Sequence, residues 1–227
     1  PAAAFLGAMG SVGIIYGVAA LLPGGVRGQH AVFSLLLVGV VFNAFAMAVV
    51  LFLRTIMSPL QSQQLLFWLM GSLSPGRLTG AEMLSVFACI TLGTITLLTS
   101  ARQLNAMALG DDTALSLGIE ASRTRMLVFI ASSIVVGGAV AATGMIGFVG
   151  LVVPHALRLL LGSDHRLLLP ASFVGGAGFL ALTDLIARIV FPLAQTTLPV
   201  GSVTAFVGVP LFFLFLVQGL KDRNAQS

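Results

Sequence analysis

An all-α, polytopic membrane bundle of about seven spans is the fold class this sequence predicts, and three observations predict it. Hydrophobic residues make up 58% of the 227 residues and charged residues 8%. Soluble domains carry about 25% charged residues, so too few charges are present here to build a water-facing shell. Mean hydropathy is +1.09. Apolar runs of about twenty residues, enough to cross a hydrocarbon layer at about 1.5 Å per residue, recur between short segments rich in Gly, Pro and charge.

Ala2 to Leu22 is the first apolar span. Its small residues Gly7, Gly10, Gly13 and Gly17 predict close helix packing along one stripe. Pro1 opens directly on apolar sequence without a basic leader, so a cleavable signal peptide is not expected. Pro23-Gly24-Gly25 ends the span, and Arg27 and His30 follow. Ala31 to Leu53 is the second span, with Asn43 its one strongly polar residue. An interhelical hydrogen bond accounts for such an Asn; a pore-facing position is the alternative.

Residues 54–80 break the pattern. Pro59, Pro75 and several Gly and Ser residues bracket Gln61 to Leu73. That piece is too short to span and reads as an interfacial helix with Trp68 at headgroup level. Glu82 falls in the first turn of the next helix, where an acid suits the dipole. Met83 to Thr99 is the third span. Its Cys89 is the chain's one cysteine, which excludes a disulfide scaffold and suits small core filler.

Residues 101–125, ARQLNAMALGDDTALSLGIEASRTR, form the longest polar stretch. Leu104, Met107, Ala108 and Leu109 make one short apolar face, and Ala114, Leu115 and Leu117 another, with Gly118 as a helix stop. Asp111, Asp112 and Glu120 alternate with Arg102, Arg123 and Arg125. Two short helices turning at Gly110-Asp111 predict a docking platform; the plainer reading is an ordinary loop.

Met126 to Thr143 is the fourth span, and Gly144 to Gly147 turns the chain. The shorter fifth span holds Pro154, His155 and Arg158 and then becomes abruptly polar at Gly162, Ser163, Asp164, His165 and Arg166. A soluble core helix rarely keeps Pro, His and Arg in one apolar run. A membrane helix can, with Arg158 snorkelling to the headgroups; a working role for His155 or Arg158 is the alternative. Ala171 to Phe191 is the sixth span, with Asp184 and Arg188 four apart and able to pair. Gln195 to Pro199 is a turn, Val200 to Val217 the last span, and Leu220 to Ser227 a polar tail.

Loop charges set the orientation. With seven spans, Arg27, Arg102, Arg123, Arg125, Arg158, Arg166, Lys221 and Arg223, eight of the eleven basic residues, fall on the side of the tail. Arg54, Arg77 and Arg188 fall on the other. The positive-inside rule then makes the tail and residues 101–125 cytoplasmic and the N-terminus external. The net charge of +4 is scattered between spans and is no nucleic-acid footprint. No P-loop, His-Glu-x-x-His pair or nucleophile elbow occurs, and His30, His155 and His165 lack metal-ligand spacing. Neither an enzyme nor a bound metal or cofactor is expected.

GFVGLVVPHALRLLLGSDHRLLLP, residues 147–170, closely resembles the signature region of permease subunits of the FecCD type, which belong to ATP-binding-cassette importers of iron-siderophores, haem and cobalamin. The resemblance marks Gly147, Gly150, Pro154, His155, Arg158, Asp164, His165 and Arg166. QQLLFWLMGSLSPGRLTGAEML resembles that family's segment between its fifth and sixth spans. Leu104, Asn105, Ala108, Leu109, Gly110, Ala114, Leu117 and Gly118 match its coupling loop, with Asp111-Asp112 where a glutamate commonly follows the glycine.

The resemblance implies a single permease domain over 1–220 with an extracytoplasmic segment at 54–80, a coupling loop at 101–125 and a cytoplasmic tail at 221–227. It implies a homodimer or paired permease in a bacterial cytoplasmic membrane, surrounded by lipid. Cytoplasmic ATP-binding subunits would supply the energy and an extracytoplasmic substrate-binding protein the cargo. Asn43, Ser202 and Thr204 are expected along the path. Arg188, beside Asp184, is expected at the external mouth, where it would receive an acid of the binding protein; Thr197 stands where the family usually has an acid. Iron-siderophore is the commonest implied cargo, with haem, cobalamin or a metal oxyanion open. Such subunits have about ten spans of about twenty residues each, and the first three have no counterpart here, so this sequence reads as the last seven spans or a truncated product. The rival from another class is a stand-alone secondary carrier or channel, which needs in-membrane acids for coupling; only Asp184 could serve, and Arg188 neighbours it.

Overall fold

In the computed structural model, residues 2–22, 31–73, 79–194 and 199–225 are described. Among them the secondary structure is helical: α1 (Ala2–Leu21), α2 (Ala31–Ile56), α3 (Pro59–Leu69), α4 (Gly80–Thr99), α5 (Ala101–Met107), α6 (Asp111–Ser116), α7 (Ala121–Thr143), α8 (Val149–Leu161), α9 (His165–Ala194) and α10 (Val200–Ala225). Helices α1, α2, α4, α7 and α9 are long and apolar enough to cross a membrane; α8 and the stretch Val200–Phe215 of α10 are shorter apolar segments. Together these are the seven segments the hydropathy pattern predicts. The turns expected at Pro23-Gly24-Gly25, with Arg27 and His30, and at Gln195–Leu198, like Pro75 and Arg77, lie outside the described residues.

Reciprocal side-chain boxes set two helix starts. Ser58 and Gln61 exchange hydrogen bonds, Ser58 N–H to Gln61 Oε1 at 3.2 Å and Gln61 N–H to Ser58 Oγ at 3.4 Å, and Pro59 follows as the first helical residue. The interfacial helix α3 therefore begins two residues before the expected Gln61. Thr79 and Glu82 make the same reciprocal box in front of α4. Other boundaries differ more: α3 ends at Leu69, four residues before the expected Leu73, and α7 begins at Ala121, five before the expected Met126. Asp164 caps α9, its carboxylate accepting the Arg166 N–H at 2.9 Å, so that helix starts at His165 and carries Pro170 in its second turn. Helix α10 runs on to Ala225, so the expected polar tail is helical to that point.

The chain groups into two compact units: residues 1–66 with 78–142, and residues 67–77 with 143–227. In the first, α1 packs along α2 and meets α7, where Phe5, Ala8 and Met9 crowd Gly137 and Tyr16 lies 5.7 Å from Phe129. Gly7, Gly10, Gly13 and Gly17 have open space where a Cβ would stand. Among the described residues that stripe meets no neighbour, and α1 turns its Phe5–Met9 side to α7. Helices α4 and α7 approach closely, Val135 and Ala131 filling the space beside Gly93.

In the second unit α8 packs on α9 and α10, with Val153 and Leu157 against Gly175 and Phe148 and Val152 against Gly208. Residues 68–72, residues 143–146 and the start of α10 meet in a knot of backbone. The Ser72 N–H donates to the Thr143 carbonyl at 2.7 Å. Gly144 lies against the Trp68 carbonyl, and Gly201 against the carbonyls of Met70 and Met145. The orientation argument places all three segments on one side of the membrane, and their meeting is consistent with it.

Candidate functional site

The two helices expected between the third and fourth spans are α5 and α6. Ser100 is a one-residue elbow after α4; its φ of −84° and ψ of −1° keep the chain helical, and its hydroxyl donates to the Thr96 carbonyl at 2.7 Å. Helix α5 closes with the Gly110 N–H on the Met107 carbonyl at 3.1 Å. Gly110 has φ 111° and ψ 151°, a combination that is essentially glycine's alone. Helix α6 ends in a tight closure, the Gly118 N–H on Leu115 and the Ile119 N–H on Ala114, both at 2.9 Å, with Gly118 at φ 76°.

Ala114 is fully buried and anchors α6, while Leu104 and Asn105 are half-buried. Ala108, Gly110, Asp112 and Gly118 are exposed. Leu109, Leu115 and Leu117 are 71%, 66% and 62% exposed, so this polar segment presents an apolar ridge. Arg125, in α7, donates through Nη2 to both oxygens of Asp111, at 3.1 and 3.2 Å. Glu120 and Arg123 pair at 2.9 Å on the exposed surface.

The signature region is mostly punctuation. Phe148 adopts φ 68° at the N-cap of α8, a strained geometry for a bulky residue. Gly147 accepts the Val149 N–H at 2.9 Å. Pro154 removes the N–H that the Gly150 carbonyl, four residues earlier, would take in a regular helix. His155 lies 5.9 Å from the ring of Phe212 and 6.2 Å from Phe215, half-buried in an aromatic contact between α8 and α10. Arg158 is exposed in the last turn of α8, where a cation suits the dipole. Gly162 stops α8 at φ 84° and Asp164 starts α9; His165 is half-buried and Arg166 exposed.

Asp184 and Arg188 pair on α9, Nε to Oδ2 at 2.7 Å, with the Arg188 side chain 63% exposed. The acid that a secondary carrier would need is thus already engaged. Asn43 is exposed on α2 and Ser202 on α10. Thr204 is fully buried, its hydroxyl donating to the Gly201 carbonyl at 2.9 Å. Two residues apart on a helix, Ser202 and Thr204 occupy different faces, so within this chain Thr204 belongs to the packing of α10 and only Ser202 keeps an open face. Among the described residues no group of three or more His, Cys, Asp or Glu is placed to hold a metal ion.

Sequence reasoning missed the Asp111–Arg125 pair and both capping boxes. The boxes carried a signal, Ser-x-x-Gln and Thr-x-x-Glu ahead of apolar runs. The ion pair carried none, because fourteen residues and a turn separate its members.

Against known proteins, a family model described as the FecCD transport family matches residues 1–218. An uncharacterised ABC transporter permease protein of Bacillus subtilis is 41% identical over 89% of this chain and 55% of that protein. A cobalamin import system permease protein of Halobacterium salinarum is 37% identical over 99% of this chain and 57% of its own length. A hemin transport system permease protein of Yersinia pestis is 40% identical, covering 85% and 56%. A solved metal-chelate type ABC transporter in an inward-facing conformation superposes with a TM-score of 0.79 at 29% identity, over 92% of this chain and 64% of that one. The chain spans little more than half the length of the curated relatives it matches.

Proposed function

The chain belongs to the FecCD transport family, and from that premise we propose that it forms part of the permease of an ATP-driven importer in a bacterial cytoplasmic membrane. Its spans line the path for a bulky metal chelate, with an iron-siderophore as the leading cargo and haem, cobalamin or a metal oxyanion as alternatives. The permease pairs with a second copy or a related subunit. ATP is hydrolysed by a separate cytoplasmic subunit, and cargo arrives on an extracytoplasmic binding protein that docks at Arg188 beside Asp184.

One observation carries the coupling role. Helices α5 and α6 are short, internally closed by hydrogen bonds, and present Leu109, Leu115 and Leu117 to solvent. Exposed apolar side chains on a rigid polar platform fit a groove in a partner protein. With Asp111, Asp112, Leu104, Asn105 and Ala108 around them, these leucines are the surface that seats in the ATP-binding subunit.

The test is capture of the cognate ATP-binding subunit by the membrane-inserted permease. Leu109→Ser with Leu115→Ser should reduce capture about tenfold or more, as expected for two apolar anchors, while insertion is unchanged. Undiminished capture would overturn the assignment. Uptake of labelled cyanocobalamin, hemin or a ferric hydroxamate into proteoliposomes would then identify the cargo.

A further inference from the structure

We propose that Arg125 is a positioning residue that makes α6 move with α7, so that a displacement received on the platform enters the membrane through that span. The proposal rests on the reading of residues 101–125 as the docking platform and assigns the direction in which its motion travels.

Helix α6 packs on α5 and is tied to α7 by a side chain. Toward α5 the link is direct packing of the two short helices and the turn at Gly110, with no ion pair between them among the described residues. Toward α7 the link is closed. Ile119 N–H bonds back to Ala114, Thr124 N–H bonds to Glu120 at 3.1 Å, and Arg125 reaches across fourteen residues to hold the first residue of α6. The Arg125 side chain is 16% exposed and that of Asp111 30%. The pair is part-buried, so salt screens it less than an exposed one, and removing Arg125 leaves Asp111 without this partner. The neighbouring Glu120–Arg123 pair is exposed on both sides, where such contacts hold weakly.

Arg125 Nη1 is buried, with no acceptor among the described residues. The guanidinium holds Asp111 through Nη2, as a tether on α6.

The experiment uses the assembled transporter in proteoliposomes and reads three quantities: capture of the ATP-binding subunit, ATP hydrolysis, and uptake of whichever of labelled cyanocobalamin, hemin or ferric hydroxamate the wild type carries. In Arg125→Gln, capture should stay within about twofold while uptake per ATP hydrolysed falls about tenfold, within the range of known coupling energies. Adding Asp111→Asn to that variant should cost nothing further in this ratio, because the two residues act as one. Arg125→Lys, which keeps the charge, should recover much of it. An unchanged ratio in Arg125→Gln overturns the proposal, as does a loss of uptake that only follows a loss of capture or of inserted protein. The docking reading fails separately, if Leu109→Ser with Leu115→Ser leaves capture intact.

Discussion

The platform at residues 101–125 and the knot joining residues 68–72, residues 143–146 and Gly201 both depend on glycine, for different physical reasons. Around Gly110 and Gly118 nothing stands within 4 Å of a would-be Cβ; the constraint is the backbone, at φ 111° and 76°. Gly201 is the reverse case. It lies in ordinary helix at the start of α10, and the constraint is space, because the carbonyl oxygens of Met70 and Met145 occupy the position of a side chain. One region is exposed, shaped by torsion and tolerant of bulk at its surface. The other is closed by neighbouring backbone, at Gly201 by space alone and at Gly71 and Gly144 with positive φ besides. A surface that must be seated by a partner needs shape without filling its surroundings. A junction of three connecting segments needs contact.

The largest expected effect follows from that difference. Gly201→Ala places a methyl group against two backbone carbonyls, and backbone cannot yield as a flexible side chain can. Overpacking of this kind costs about 1–3 kcal/mol, and Gly201→Val should exceed it and sharply reduce the yield of folded protein. Thermal unfolding in detergent checks it. A Gly201→Ala protein as stable as the parent would break the contrast between the regions.

A smaller and qualitatively different effect is expected at Gly118. Gly118→Ala meets no atom, and its penalty is the left-handed backbone alone, about 1–2 kcal/mol. The spans should insert and unfold nearly as before, while transport and cargo-stimulated ATPase activity fall, since the penalty lies in the platform's own turn. Gly118→Asn should cost less than Gly118→Ala, because Asn tolerates left-handed φ better. Equal losses for both would shift the cause from torsion to surface contact.

These two glycines also mark how far the sequence could be read. Hydropathy located the seven apolar segments, because twenty-residue apolar runs have few alternatives. The two short helices of the platform were legible from Gly110 and Gly118 between brief apolar faces. Periodicity shows which residues share a face, but not which face meets a neighbour. So the Gly7–Gly17 stripe was legible as a stripe, but not that it meets no neighbour among the described residues. Ser202 and Thr204 were legible as small hydroxyl residues, yet the buried one could not be told from the exposed one. Arg125 was visible only as a loop charge; its partnership with Asp111 depends on the turn that brings α6 back to α7.

The smallest expected effect on stability, and the one that sets a third kind of site beside the two regions, concerns Arg188. Its pair with Asp184 is an i,i+4 contact with the Arg side chain 63% exposed. Such pairs contribute about 0.3–0.5 kcal/mol, so Arg188→Ala should barely move thermal unfolding. Only Nε is engaged; among the described residues the two terminal amino groups have no acceptor, so half of a planar fork remains for an incoming carboxylate. If the binding protein docks there, Arg188→Ala should weaken its affinity about tenfold at low salt and less at high salt, since rim charges act chiefly through screened, long-range attraction. Basal ATPase activity of the assembled complex should be unaffected. The structural rival predicts the opposite pattern: poor insertion of Arg188→Ala from an unpaired Asp184, and recovery when Asp184→Asn is combined with Arg188→Gln. Titrating binding protein onto both variants at two salt concentrations, beside a measurement of inserted protein, separates the accounts. Glycine would then serve shape at the platform and contact at the knot, and an exposed arginine would serve recognition with little part in holding the fold.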